Sequence, residues 1–246
     1  MASDHPFTQV EELEAPHEDE GPVRVNAETK TIPALLLVDT SVSMAGCTGD
    51  VRTALHEFVV QLLREPLTAE FVRLGIDTFG GDAGTVLPLS AVADPSTRLP
   101  DLAVLGGGTN YRAAFDQDHE SLHSGLGALR STESGVRVRI QRPNLFVVTD
   151  GQRDVGGPWQ PALQRLRRER WCPNVFAFGF GDVKRRVITE IADEGMAYSA
   201  ADGLTPLTMY QATLRLILAS LVSLRSAGAA SQAVMAPPTV DPPPTG

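Results

Sequence analysis

The sequence predicts an α/β fold built on a doubly wound, mostly parallel sheet with helices on both faces and one antiparallel edge strand. Apolar runs of strand length alternate along the chain with stretches whose apolar residues recur at helical spacing. Several of the strand-length runs are apolar throughout, as is typical of parallel strands that helices cover on both faces. The chain has 246 residues, 42% of them hydrophobic, which suffices for one sizeable domain or two small ones.

The first half of the chain predicts a strand, a helix and a hairpin. Residues 31–38 form a continuous apolar run. Within residues 51–64, five apolar residues lie on one helical face, namely Val51, Leu55, Val59, Leu62 and Leu63. Two strands follow at 71–79 and 85–89, and the glycine-rich connection between them suits a hairpin. Because Pro88 cannot donate a ladder hydrogen bond, the second of these strands is expected at a sheet edge.

The second half continues the alternation and predicts a Rossmann-like order of strands and helices. Proline near the first turn supports the start of the last helix. In such sheets ligands bind beyond the carboxyl ends of the strands, where the strand order reverses. The predicted helices span 111–129, 158–170, 184–194 and 206–224, and the predicted strands span 144–148, 175–180 and 196–199.

The two ends of the chain differ in composition from the part between them. Residues 1–24 carry seven acids against one arginine, a net charge of -6 within a total of -9. The end is dense in proline and lacks an apolar period. Neither end can bury enough apolar surface to offset its ordering entropy. We therefore predict a disordered acidic arm over 1–28, a folded domain over 29–226 and a disordered proline-rich tail over 227–246.

Composition also argues against several classes of protein. A nearly balanced body with an acidic arm lacks the basic stripe of a general nucleic-acid binder. The cysteines, Cys47 and Cys172, are too few for a disulfide framework or a zinc site and read as thiols of a reducing compartment. The apolar segment 214–224 is about half the roughly 20 residues of a membrane span. With no signal-peptide pattern, a cytoplasmic location is expected.

Three loops at predicted strand ends carry oxygen donors. Asp39, Ser41 and Ser43 follow the first strand at alternate positions, and their side chains would converge if the chain stays extended there. Thr109 follows three glycines at the start of a helix, and Asp150 ends a buried strand. Such a set has few charges and many hydroxyls, which suits Mg²⁺ in an octahedral shell that retains water.

At these residues the sequence resembles the von Willebrand factor A family, whose metal-ion-dependent adhesion site has the pattern D-x-S-x-S, then T, then D. The resemblance covers about residues 31–224 and includes the segments LLLVDTS, GGTN and VVTDG. It implies that Ser41, Ser43 and Thr109 ligate the metal by hydroxyl. It also implies that Asp39 and Asp150 hold metal-bound waters or bind the ion directly. Val42 stands where this family often has glycine.

The resemblance implies a non-enzymatic protein-interaction module that depends on Mg²⁺, with Mn²⁺ as a second candidate ion. A carboxylate from an Asp or Glu of the partner would complete the metal's coordination shell. Within the family, the general pattern of sequence motifs most resembles bacterial cytoplasmic members associated with tellurium resistance and stress response. The implied partner is a kinase, phosphatase or ATPase of the same system, with no nucleic acid and no membrane span.

Two other functions stay open at this point. One is a Mg²⁺-dependent phosphohydrolase-like enzyme, and the other is a degenerate site with only a structural role. Such hydrolases usually place a second acid two residues after the nucleophilic aspartate, and here that position is Ser41. Phosphate-loop, nucleophile-elbow and dinucleotide motifs are also missing, so we expect no catalytic residues and no bound organic cofactor.

Four further features have ordinary interpretations that we favour. His119 and His123 lie one helical turn apart without an evident third ligand, and we interpret them as surface residues. A run of arginines at 165–170 and a basic segment at 184–186 could form a basic face, although a solvated helix surface is more common. The acidic arm could dock on that face or reach the metal, but a solubilising tail is the simpler interpretation. Cys47 is interpreted as an inert thiol.

Overall fold

The computed structural model describes residues 28–44, 46, 48–93, 106–131, 137–150, 154–180, 184–199 and 206–226. The predicted acidic arm up to residue 27 and the predicted proline-rich tail lie outside the described residues, as does Cys47. The arm and tail boundaries and the reactivity of Cys47 therefore stay predictions.

In the described part of the chain the sheet has seven strands in the order β3-β2-β1-β5-β6-β7, and β4 pairs with the first part of β1. Every pairing is parallel except the one between β2 and β3. The long first strand explains this layout, because β4 pairs with its residues 28–31 and β5 with its residues 34–38. The strands are β1 (Glu28–Asp39), β2 (Val72–Phe79), β3 (Ala83–Ala91), β4 (Arg137–Ile140), β5 (Asn144–Thr149), β6 (Asn174–Gly179) and β7 (Ala197–Ser199).

Helices cover both faces of this sheet, as predicted. Even-numbered side chains of β1, such as Leu36, pack in one core with α1 and α6, whereas Leu35 and Leu37 pack in a second core with α3, α4 and α5. Side chains alternate between the faces of a strand, so one apolar run supplies both cores. The helices are α1 (Thr48–Leu63), α2 (Pro66–Phe71), α3 (Tyr111–Ser131), α4 (Gln160–Arg168), α5 (Arg185–Ile191) and α6 (Pro206–Ser226).

The predicted hairpin is confirmed, with β2 antiparallel to β3 and β3 at the edge of the sheet. Its connection is shorter than predicted, because Gly84 belongs to β3 and pairs with Thr78. Pro88 is exposed on this edge strand, where its missing N–H leaves no gap between paired strands.

The prediction missed two elements, α2 and β4. Helix α2 has only six residues and begins with proline directly after α1, so it carries too few turns for a helical period. Strand β4 has four residues and contains two arginines, so it lacks the apolar run by which the other strands were recognised. Only its pairing with the start of β1 identifies it as a strand.

The topology places the carboxyl ends of β1 and β5 side by side. The chain leaves β1 toward β2 on one side of the sheet and later returns to β5 on the other side. This reversal of strand order opens a crevice at the adjacent strand ends. Asp39 ends β1, and Asp150 follows β5 directly. Among the helices that the structure describes, none is long and apolar enough to cross a membrane.

Candidate metal centre

The loop after β1 holds the first three predicted donors in a compact turn. The backbone N–H of Ser41 donates to Asp39 Oδ1 over 2.9 Å, and the hydroxyls of Ser41 and Ser43 lie 3.0 Å apart. Asp39 and Ser41 are buried, whereas Ser43 is exposed. The expectation of an extended chain is wrong here, because Val42–Met44 form a 3₁₀ helix. The turn nevertheless brings both serine hydroxyls together.

The glycine loop before α3 packs its backbone directly against the first loop. Val42 donates its N–H to the carbonyl of Gly107 over 3.2 Å, and Gly81 donates to the carbonyl of Gly106 over 2.7 Å. Gly107 has a φ of +66°, and a Cβ there would lie 2.9 Å from the Cα of Gly81. A side chain at this position would therefore be strained and crowded, and glycine allows the close approach.

Thr109 leaves this loop as a buried residue beside the strand ends. It forms an isolated parallel bridge with Asp154, and its carbonyl accepts the N–H of Val155 over 2.9 Å. Asn110 caps α3, because its Oδ1 accepts the N–H of Ala113 over 3.0 Å. The Thr109 hydroxyl is therefore not the acceptor that caps α3.

Asp150 lies next to Asp39 at the neighbouring strand end. Val38 pairs with Val148 in the parallel register, so Thr149 and Asp150 follow alongside the end of β1. Asp150 is 5% exposed. The structure thus brings the loops that carry all five predicted residues to one end of the sheet, where burial raises the pKa of Asp39 and the nearby charge of Asp150 adds to this rise.

Sequence analysis missed Thr149, which supports the site from beneath. Its hydroxyl donates to Asp39 Oδ2 over 2.6 Å and lies 3.1 Å from the hydroxyl of Tyr111. All three side chains are buried. The polar Thr149 between an apolar strand and Asp150 was visible in the sequence, but only the register of β1 and β5 shows that its partner is Asp39.

Burial dominates the electrostatics of the site. It raises the pKa of Asp39 to about 6, against the lowering effect of hydrogen bonds from Ser41 and Thr149. Burial likewise raises the pKa of the Tyr111 hydroxyl, which therefore stays neutral and can serve in the hydrogen-bond chain. A cation at this point would offset the cost of burying the Asp39 charge.

The donor chemistry is that of a hard cation. Among the described residues, no group of three or more His, Cys, Asp or Glu side chains could hold a metal ion. The predicted residues supply two carboxylates and three hydroxyls, a donor set that Mg²⁺ accepts together with water.

The other predicted clusters are engaged in the fold. His119 is half-buried, and its Nε2 lies 2.8 Å from Glu169 Oε1, so the interpretation of both histidines as plain surface residues holds only for His123. Within the arginine run, Arg165 and Arg167 form ion pairs at 2.8 and 3.1 Å with acids of neighbouring elements. These contacts favour a structural interpretation of that surface.

Comparison with known proteins adds family information to this geometry. A family model described as von Willebrand factor type A domain matches residues 35–208. That span covers most of the described chain, from the middle of β1 into α6, and includes all five predicted site residues. None of the curated proteins matches the chain.

Solved structures share the fold at low sequence identity. Proximal thread matrix protein 1 from the mussel byssus aligns over 78% of this chain and 48% of its own, with 18% identity and a TM-score of 0.55. The pilus adhesin SpaC from Lactobacillus rhamnosus GG aligns over 79% of this chain and 30% of its own, with 15% identity and a TM-score of 0.57. The chain thus spans about half the mussel protein and less than a third of the adhesin.

A further structure of the mussel protein is described as having a zinc-occupied MIDAS motif, the metal-ion-dependent adhesion site. It aligns over 80% of this chain and 49% of its own, with 16% identity and a TM-score of 0.57. At such identities the likeness concerns the fold, and the residues of each site have to be judged in their own structure.

Proposed function

The chain belongs to the von Willebrand factor type A domain family, and from this premise we propose that it is a non-enzymatic interaction module that binds a divalent cation and, through it, a carboxylate of a partner protein. The observation that carries the proposal is the meeting of three oxygen-bearing loops at the ends of β1 and β5, with Asp39 buried among them. The mussel protein's zinc-occupied motif supports it from outside this chain.

We assign the direct ligands to the hydroxyls of Ser41, Ser43 and Thr109. The 3.0 Å separation of the two serine hydroxyls supports this assignment, because adjacent ligands of one small cation lie about that far apart. Asp39 and Asp150 hold metal-bound water or bind directly. Asp39 is held in place by Ser41 and Thr149, so its carboxylate needs little reorganisation on binding.

Mg²⁺ is the ion that the donor set favours, with Mn²⁺ as an alternative. A bound ion would supply an electropositive coordination position for an incoming carboxylate. The chain contributes two carboxylates to a divalent ion, so an additional carboxylate meets no excess of negative charge from the protein. Val42 and Val155 are 58% and 52% exposed beside the site loops and offer apolar contacts for the residues that flank the partner's acid.

We also propose a cellular setting for this module. The resemblance to bacterial cytoplasmic family members supports a role in a stress-response or tellurium-resistance-type complex in the cytoplasm. Its partner would then be a kinase, phosphatase or ATPase of the same system. No nucleic acid and no membrane is part of this proposal.

Calorimetric titration of Mg²⁺, Mn²⁺ and Zn²⁺ into the metal-stripped full chain tests the proposal. We expect one Mg²⁺ per wild-type chain and at least about tenfold weaker binding for T109V, S43A and the double variant D39A/D150A. S124A is the matched control, since it removes an exposed hydroxyl on α3. Equal affinity of T109V and wild type, with folding checked by circular dichroism, would contradict the ligand assignment.

Two additions to this experiment address the alternatives. Acetate in excess should raise Mg²⁺ affinity if a carboxylate completes the shell, whereas a purely structural site would give no such effect. A generic phosphate ester should not be hydrolysed. Hydrolysis that requires Mg²⁺ and disappears in T109V would support the phosphohydrolase-like alternative instead.

A further inference from the structure

A second pocket lies at the opposite end of the sheet from the candidate metal centre. Its volume is about 410 Å³, and it is bordered by the last turns of α3, the connection from β4 to β5 and the connection from α4 to β6. The side chains that matter for its chemistry are Arg130, Arg142, Arg170, Trp171 and Cys172. Neither the family membership nor the proposed metal site accounts for it.

Among the residues that the structure describes, the lining of this pocket carries three guanidinium groups and no carboxylate. Arg142 is held in place, because its Nε donates to the carbonyl of Cys172 and its Nη2 lies 3.1 Å from the thiol sulfur. Arg130 and Arg170 are exposed, and neither forms an ion pair with an acid of the described residues. Such a surface attracts carboxylates, which guanidinium groups bind in a bidentate geometry.

Trp171 gives the pocket an apolar wall. It is half-buried, and its ring lies 6.1 Å from the imidazole of His119. Leu126 and Pro143 close the floor as buried residues. A ligand that combines several carboxylates with apolar side chains would match this mixture of basic rim and apolar wall better than an isolated small anion.

The path of the chain brings such a ligand to the pocket. Strand β1 begins at Glu28, and the N–H of Gln141, which lines the pocket, donates to the carbonyl of Thr31 over 2.8 Å. The arm therefore enters the fold beside the pocket. Glu20 lies eight positions before Glu28, and an extended chain of that length reaches about 27 Å. Within residues 11–20, Leu13, Ala15 and Pro16 lie between acids.

We propose that the acidic segment 11–20 of this chain is the ligand of the arginine pocket formed by Arg130, Arg142 and Arg170. Each exposed ion pair alone is weak. A segment tethered eight residues away has a millimolar effective concentration, so even weak sites are filled. Docking covers the Cys172 side of the pocket and screens the arginines from other anions. The inference is independent of the metal centre and would stand if no metal bound.

Alkylation of Cys172 by neutral iodoacetamide measures the occupancy of the pocket. The background is full-length C47S, which leaves one thiol. The arm variant replaces six acids by their amides, and the pocket variant is R130Q/R170Q. A third protein combines both sets, and rates in urea report the intrinsic reactivity of the thiol in each. The arm substitutions are E11Q, E12Q, E14Q, E18Q, D19N and E20Q.

We expect the arm variant to react about threefold faster than its parent, because a tethered ligand at about twice its dissociation constant protects about two thirds of the molecules. The pocket variant should react equally fast, and the combined variant no faster. Sodium chloride at high concentration should raise the parent's rate to the same level, since it shortens the screening length to a few ångströms. Equal rates of parent and arm variant at low salt would overturn the proposal.

A peptide of residues 4–20 tests the same contact in trans. Added to the arm variant, it should shift the indole N–H signal of Trp171 and slow alkylation, whereas its amide-substituted form should do neither. Inorganic phosphate is the competing anion. If phosphate and the neutral peptide protected Cys172 as well as the acidic peptide does, the pocket would show no preference for the acidic segment. That result would overturn the arm as its occupant.

Discussion

Asp77 of β2 and Asp118 of α3 lie against each other in the buried interface between sheet and helix, and both are 0% exposed. Neither oxygen of Asp118 accepts a hydrogen bond from a donor group of the described residues. The bond open to Asp118 is therefore one in which its own proton is donated to Asp77. Ser121 supplies a second donor to Asp77 over 3.0 Å.

This pair predicts a loss of stability as the pH rises. Burial raises the pKa of Asp77 to about 6, and burial with the charge of Asp77 raises that of Asp118 well above its usual value. Above about pH 4 the unfolded chain has released these protons, whereas the folded chain still holds them. The free energy of unfolding therefore falls as the pH rises from about 4 to the pKa values of the two groups in the folded state. Asp118→Asn should lessen this slope and stabilise the protein at pH 8 by about 1–2 kcal/mol.

Urea unfolding at pH 5 and pH 8 measures the effect. Glu120→Gln is the matched control, because it removes one carboxylate from an exposed position of the same helix and should leave the slope unchanged. Since the burial of Asp39 adds its own pH dependence, the difference between D118N and wild type is the informative quantity. An identical slope in both proteins would show that Asp118 carries no bound proton in the fold.

The sequence predicted the alternation of strands and helices because the spacing of the apolar residues in each element shows which of its sides is buried. The run at 31–38 and the helical face at 51–64 both show this. The Asp77 and Asp118 pair was invisible, since the two residues are 41 positions apart and only the packing of α3 on β2 brings them together. Thr149 was missed for the same reason. Local sequence patterns predict helices and strands, but contacts between these elements can be predicted only when the pairing of the strands and the packing of the helices are known.

The close contact between the two glycine loops predicts a specific effect of Gly107→Ala. The φ of +66° and the 2.9 Å approach to the Cα of Gly81 leave no room for a methyl group, so the loop that carries Thr109 has to shift. We expect a loss of about 1–3 kcal/mol in stability and weaker Mg²⁺ binding. Gly84→Ala is the control, because a Cβ there meets nothing within 4 Å. Unchanged metal affinity in G107A would show that this contact does not position Thr109.

Two glycines of α3 predict opposite effects of the same substitution. A Cβ at Gly127 meets no atom of the described residues within 4 Å, so Gly127→Ala should stabilise the helix by about 0.5–1 kcal/mol. A Cβ at Gly125 would lie 2.6 Å from Leu89 of β3, and Gly125→Ala should destabilise the protein by about 1–3 kcal/mol. Thermal unfolding of both variants measures the difference. Equal stabilisation would mean that α3 does not pack closely on the edge strand.

Substitution of Thr149 tests how strongly the site depends on the hydrogen bond from its hydroxyl to Asp39. Thr149→Val keeps the shape of the side chain but removes the donor to Asp39, leaving a buried carboxylate with one hydrogen bond fewer. We expect a loss of about 1–3 kcal/mol in unfolding free energy, measured in urea, and Mg²⁺ affinity about tenfold lower by calorimetry.

Thr149→Ser retains the hydroxyl and should keep most of the unfolding free energy and of the Mg²⁺ affinity. This variant separates the effect of the hydrogen bond from that of the methyl group's packing. Tyr111→Phe removes the hydroxyl that lies 3.1 Å from Thr149 and should have a smaller effect, because Asp39 keeps its own donors. If T149V lost stability but bound Mg²⁺ as wild type does, the hydrogen bond would serve the fold alone. In that case Asp39 would have to be oriented by Ser41 without help from β5.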